Sequence, residues 1–94
     1  MATMTILIYS KENCVYCSKA KALVKRLGMT FEEKKLEEDF DGDPNKLIEH
    51  IGKKVRTMPQ IKIDGELIGG YNQLIEYFNN KGLCNFRGEI IEWR

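Results

Sequence analysis

A four-stranded mixed β-sheet with helices on both faces, in the order β-α-β-α-β-β-α, is the α/β fold that this sequence predicts. Three observations carry it. Ile6, Leu7 and Ile8 are consecutive apolar residues, the pattern of a strand covered on both faces. A helical pattern then separates this strand from a second one, and a parallel pair needs such a crossover. Near the other end, Ile61 and Ile63 alternate before Asp64-Gly65, a β-hairpin signal. The 94 residues, 43% hydrophobic and 31% charged, suit one domain, with its core expected over residues 4–82 and an extension over 83–94.

The first strand lies within Met4–Tyr9 and leads straight to Cys14. Beyond it Ala20, Leu23, Val24 and Leu27 recur at helical spacing, Ser18, Lys19, Lys21, Lys25 and Arg26 fill the other side, and Gly28 supplies the stop. A second strand is expected over Thr30–Leu36, with Phe31 and Leu36 packing inward, followed by an acidic loop over Glu37–Gly42. Asp43 and Pro44 read as N-cap and first residue of a second helix, whose Leu47, Ile48 and Ile51 form one face before Gly52. Lys53–Arg56 is a basic connector. After the hairpin, which returns through Leu67 and Ile68, a last helix over Asn72–Lys81 carries Leu74, Ile75 and Phe78 on one face and ends at Gly82. No repeat, linker or low-complexity segment interrupts the pattern.

With 15 basic and 14 acidic residues the net charge is +1, so no electrostatic case exists for nucleic acid as the main partner. Nothing approaches the length of a membrane span, and Met1–Thr5 lacks the start of a secretory signal; a cytoplasmic location is therefore expected, in the host cytoplasm if the source is viral. Three cysteines are an odd count that does not suit a disulfide framework. Cys14 and Cys17 instead form a Cys-x-x-Cys, which in such a chain is a zinc knuckle or a redox dithiol. A zinc set would have to recruit His50 and Cys84, which lie on separate elements with unrelated spacing, so no metal is expected. His50 reads as an exposed helix position and Cys84 as a small residue of the tail.

Position favours redox chemistry. Cys14 falls where the strand hands over to the helix, and the unpaired amides of a helix start stabilise a thiolate; Lys11, Lys19 and Lys21 add nearby cations. In such sites a free-thiol pKa of ~8.5 falls to ~3.5–7.5. Cys17, one turn on, should be more buried and able to attack a disulfide formed at Cys14.

Two further stretches have a plain and a functional reading each. Pro59 in "RTMPQ" is either a strand-entry proline or the second residue of a cis bond that turns the Met58 backbone toward the dithiol. The glycines of "IGGYNQ" make a tight turn, or let backbone approach a ligand that the following helix start would bind through its amides.

Taken together, "CVYC" with Lys11, "TMP" at Thr57–Pro59 and "GGYN" at Gly69–Asn72 resemble the glutaredoxins, a branch of the thioredoxin-like fold, over essentially all of Met4–Gly82. "TMPQ" followed by "IGGYNQLIEYF" looks like the small phage-type dithiol members. The resemblance implies a glutathione-disulfide oxidoreductase in which Cys14 is the nucleophile and Cys17 the resolving thiol. It further implies that Tyr16 flanks bound glutathione, that Lys11 and Arg56 attract its glycyl carboxylate, and that Thr57 and Met58 hold its cysteinyl backbone before a cis Pro59. Gly70, Tyr71 and Asn72 would then hold the γ-glutamyl end. Glutathione is implied as co-substrate, disulfide-bearing or glutathionylated proteins as partners, a ribonucleotide reductase among them, and a monomer as the working form.

Three features depart from the family pattern. Val15 stands where the family most often has proline. Asn72 replaces the usual aspartate, so a neutral oxygen must receive the ligand's ammonium. The tail "LCNFRGEIIEWR" exceeds what the compact pattern requires. Val15 also leaves open a module that shares an iron–sulfur cluster between two chains, although a cluster needs four thiolates.

Overall fold

The computed structural model describes residues 5–55 and 57–82. Expectations for Met4, Arg56, Cys84 and the extension 83–94 lie outside those residues.

The described residues form β1 (Ile6–Ser10), α1 (Val15–Arg26), β2 (Glu32–Lys35), α2 (Leu36–Asp39), α3 (Pro44–Ile51), β3 (Gln60–Ile63), β4 (Glu66–Gly69) and α4 (Tyr71–Asn80). The strands make one mixed sheet in the order β2-β1-β3-β4. β1 pairs in parallel with β2, from Leu7 opposite Glu32 to Ser10 opposite Lys35, and antiparallel with β3, from Ile6 opposite Ile63 to Tyr9 opposite Gln60. β3 and β4 form the hairpin, and both turn residues have positive φ, 53° at Asp64 and 83° at Gly65, as a type I′ turn requires.

Both faces of β1 are covered, which is why its apolar residues are consecutive. Ile6 and Ile8 join Ile61 and Ile63 against Ala20, Leu23 and Val24 of α1 and Leu74, Ile75 and Phe78 of α4. On the opposite face Tyr9, with Leu7 beside it, packs on Phe40 and on Leu47 and Ile51 of α3. The buried Tyr9 needs a partner for its hydroxyl and finds one in His50 Nδ1 at 2.8 Å. His50 is thus an exposed helix position, as expected, whose ring also ties α3 to the sheet.

Two expectations need correction. The strand expected over Thr30–Leu36 is confined to Glu32–Lys35, and Leu36 instead begins the helical turn α2, which runs on to Asp39 through the stretch read as an acidic loop. One turn is too short to display a period. The acids Glu37, Glu38 and Asp39 suit the positive end of that turn, and the Asp39 carboxylate accepts the Lys35 N–H at 2.7 Å. Elsewhere the local signals hold. Asp43 caps α3 by accepting from Asn45 N–H at 2.9 Å with Pro44 at its first position, and Gly52 ends it with φ 84°.

Candidate active site

Cys14 is the N-cap of α1, with extended backbone, and its sulfur accepts the Cys17 N–H at 3.1 Å. The two cysteines are joined in a disulfide with their Cα atoms 5.2 Å apart. Cys17 is 1% exposed and belongs to the buried face of α1, whereas Cys14 is half-buried at the surface. The amide that reaches Cys14 Sγ is one of the donors that the helix leaves unpaired, and it remains available to a thiolate after reduction. Val15, at the first helical position, is 67% exposed. It fills a site where proline also fits, since no amide is required there.

The segment 57–59 lies beside the disulfide. The Met58–Pro59 bond is cis, and Met58 O is 3.7 Å from Cys14 Sγ. An oxidised sulfur has no proton to donate, so this is proximity rather than a hydrogen bond. The buried Gln60 side chain donates to Thr57 O at 2.8 Å and to Thr57 Oγ1 at 3.4 Å. Thr57 O is therefore already engaged, and the Met58 backbone is the part of this segment that stands against the sulfur. Gln60 was not anticipated from the sequence; its signal was a polar residue at the head of an Ile-rich strand.

The glycines serve this geometry through their missing side chains. A Cβ on Gly70 would lie 3.3 Å from Pro59 O, so a side chain there would crowd the Pro59 carbonyl. Gly69 has φ +117°, and a Cβ there would meet Gln73 Cγ at 2.9 Å. Gln73 Oε1 accepts the Gly70 N–H at 2.9 Å. That amide is occupied, while the amides of Tyr71 and Asn72, the first two of α4, have no acceptor within the helix. Asn72 is exposed on the same turn.

Tyr16, 56% exposed, has its ring 5.9 Å from that of Tyr71, and Lys19 Nζ lies 5.2 Å from the Tyr16 ring centre. Lys21 is committed elsewhere, its Nζ 2.9 Å from Glu33 Oε2. Of the three lysines expected to raise the local potential, Lys21 is thus neutralised by its partner. Exposed Lys11 lines two cavities. One, of about 150 Å³, adjoins Thr57, Met58, Val55 and Leu36. The other, about 550 Å³, adjoins Cys14, Cys17, Ser10, Lys21 and Glu33. The loop between β1 and α1 is held from α2, where Glu37 Oε1 accepts the Glu12 N–H at 2.6 Å.

The structure thus brings Cys14, Cys17, Met58 and Pro59 together, sets Gly70 against Pro59, Tyr71 against Tyr16, and Lys11 beside Thr57 and Met58. Arg56 lies outside the described residues. No group of three or more His, Cys, Asp or Glu side chains among the described residues is arranged to hold a metal ion.

A redox dithiol at the start of the first helix, beside a cis-proline segment on this sheet, defines a thiol-disulfide oxidoreductase of thioredoxin-like fold. Within that class the chain belongs to the glutaredoxin family, whose model matches residues 6–68. It is 44% identical to glutaredoxin 3 of Escherichia coli K12 over 68 residues, covering 71% of this chain and 77% of that protein. Glutaredoxin-C6 of Oryza sativa is 34% identical over 84 residues, covering 87% and 72%. Among solved structures, glutaredoxin 1 of Francisella tularensis superposes with a TM-score of 0.68 at 27% identity, covering 86% of this chain and 98% of that one. A buckwheat glutaredoxin, solved as a complex with glutathione, gives 0.67 at 31% identity, covering 81% and 69%.

Proposed function

We propose that this protein is a glutathione-dependent dithiol oxidoreductase in which Cys14 is the nucleophile and Cys17 the resolving thiol. The observation that carries the reading is the Cys17 N–H at 3.1 Å from Cys14 Sγ, at a helix start where only one of the two sulfurs is at the surface. The glutathione bound by the buckwheat relative supports the choice of co-substrate.

With a glutathionylated target, Cys14 thiolate attacks the glutathione sulfur, the target leaves as its thiol, and Cys14 carries the glutathione. A second glutathione thiolate then attacks that sulfur and oxidised glutathione departs. With a protein disulfide, Cys14 first joins the target, Cys17 releases it by forming the Cys14–Cys17 disulfide, and two glutathiones restore the dithiol. In this reading Lys11, with Arg56, draws the glycyl carboxylate of glutathione. The Met58 backbone before Pro59 pairs with its cysteinyl residue, with Thr57 alongside. Tyr16 covers one flank, and the Tyr71 and Asn72 amides receive the γ-glutamyl carboxylate, with Gly70 giving room for it. A ribonucleotide reductase is the protein partner we would test first, and we assign the protein to the cytoplasm as a monomer.

The test is disulfide reduction coupled to glutathione and glutathione reductase, run beside the same reaction driven by thioredoxin reductase. Turnover in the first system is expected; turnover in the second alone would overturn the assignment.

A further inference from the structure

Cys17 raises a problem that the dithiol route must solve. Its sulfur has to lose a proton when it attacks the Cys14 mixed disulfide, yet the residue is 1% exposed. It does line a cavity of about 550 Å³ with polar walls. In the same wall stands a bonded set drawn from three elements. Ser10, 1% exposed at the end of β1, donates through Oγ to Glu33 Oε2 of β2 at 2.6 Å, and Lys21 Nζ of α1 lies 2.9 Å from the same oxygen. Lys21 follows Cys17 by four residues on α1, so the two side chains are neighbours on one helix face. This cavity shares Lys11, but neither Thr57 nor Met58, with the smaller one.

We propose that the Lys21–Glu33 pair, seated on Ser10, controls the release of the Cys17 proton and so acts on the protein-disulfide route while leaving removal of glutathione to Cys14 alone. The proposal rests on Cys17 being the resolving thiol. Among the described residues, the charged groups on this cavity are Lys11 and Glu12 of the loop, Lys21 of α1, and Glu33 and Lys35 of β2. Lys21 and Glu33 are the two bonded to each other, and while both are charged their effects on Cys17 oppose. In the resolving step the Cys17 sulfur attacks Cys14 Sγ. The bond from Cys14 to the target sulfur breaks, its electron pair leaves on that sulfur, the Cys14–Cys17 bond forms, and the Cys17 proton passes through the cavity to end on the departing thiolate. Glu33 and Lys21 set the field in which that proton leaves and are not consumed. They are positioning residues, not catalytic ones.

The two charges can be removed one at a time. Lys21→Met leaves the Glu33 carboxylate unopposed and should raise the pH midpoint of Cys17 ionisation by about one unit; Glu33→Gln leaves the ammonium unopposed and should lower it by a similar amount. The midpoint is read in reduced protein from the 13Cβ chemical shift of Cys17 against pH, a measurement that needs no glutathione. In the coupled assays, Lys21→Met should slow protein-disulfide reduction at neutral pH up to ~10-fold, the consequence of a one-unit shift. Cys14 lines the same cavity but keeps the Cys17 amide at 3.1 Å, so deglutathionylation of a peptide should change less than protein-disulfide reduction in both variants, and Lys21→Arg should restore the wild-type midpoint. Midpoints that fail to move, that move the same way in both variants, or rates of the two routes that fall in parallel would each overturn the proposal. Absence of glutathione-linked turnover in the wild type would instead refute the proposed function, and the shift titration would still report whether the pair acts on Cys17.

Discussion

At the scale of single residues, the division of labour proposed for the cysteines follows from where one helix begins. Cys14 Sγ meets an amide that the helix cannot use, while Cys17 points into the core one turn later. Cys14→Ser should abolish all thiol transfer. Cys17→Ser should keep deglutathionylation and lose reduction of protein disulfides that need resolution; equal loss of both would show that Cys17 has another task. In reduced protein Cys14 should titrate well below Cys17, and Lys11→Gln should raise its midpoint, both read from thiolate absorbance against pH. Asn72 offers a second residue-scale test. It is exposed on the turn whose amides, in the proposed binding mode, receive the γ-glutamyl carboxylate, and its neutral oxygen would give the ligand's ammonium no charged partner. Asn72→Asp should tighten glutathione binding by about 0.2–1 kcal/mol, as expected for an exposed pair, with the gain shrinking in high salt. Calorimetry that finds no gain at low salt would mean that this end of the ligand lies elsewhere.

Elements meet at two junctions that carry side chains of special kind. At the first, β4 passes into α4 through Gly69 and Gly70, where a Cβ on Gly69 would displace Gln73 and so undo its bond to the Gly70 amide. Gly69→Ala should therefore destabilise the fold by about 1–3 kcal/mol, the range for a side chain forced into such backbone, in a chemical denaturation experiment. The second junction is α3 on the sheet. Tyr9 is fully buried and its hydroxyl depends on His50 Nδ1, so His50→Ala should cost about 1–3 kcal/mol through the unpaired hydroxyl. A smaller loss would mean that water replaces the imidazole.

At the scale of the whole molecule, Glu33 and Tyr9 are two of the described groups that act on the pH range of stability, and they act in opposite directions. Burial pushes the Glu33 carboxyl up, but the Ser10 hydroxyl, the bond and charge of Lys21, and Lys35 outweigh it and hold the pKa below the ordinary 4.5. A depressed carboxylate stabilises the fold above its unfolded pKa, and that contribution disappears as pH falls from about 4.5 through the lower folded value. Tyr9 behaves in the other sense. Burial, with the Glu32 charge, raises its pKa above 10.0, so the folded state keeps the proton more tightly and stability falls as pH rises past that value. Thermal unfolding should show a plateau between these limits, and Glu33→Gln should flatten the acid limb while Tyr9→Phe flattens the alkaline one.

Much of this was legible in the residues themselves, because the signals concerned are local. Consecutive Ile6, Leu7 and Ile8 meant a strand covered twice, Asp43-Pro44 a helix start, Asp64-Gly65 a hairpin, and Cys14 before an amphipathic run a sulfur at a helix N-terminus. Each depends on the conformational or hydrogen-bonding needs of a few neighbouring residues. The turn α2 was not legible, since four residues show no period and its acids fit a loop equally well. Nor could spacing alone choose between a plain and a cis bond at Pro59, or show that Gln60 holds Thr57 and that Gln73 occupies the Gly70 amide. Least visible was the meeting of Ser10, Lys21 and Glu33, residues of three elements that look like surface positions when taken separately. Only the parallel pairing of β1 with β2 under α1 brings them to one oxygen in the wall of a cavity that Cys17 also lines. A hydrogen bond between distant residues is decided by the packing that delivers its ends, and no local pattern in the sequence records that packing.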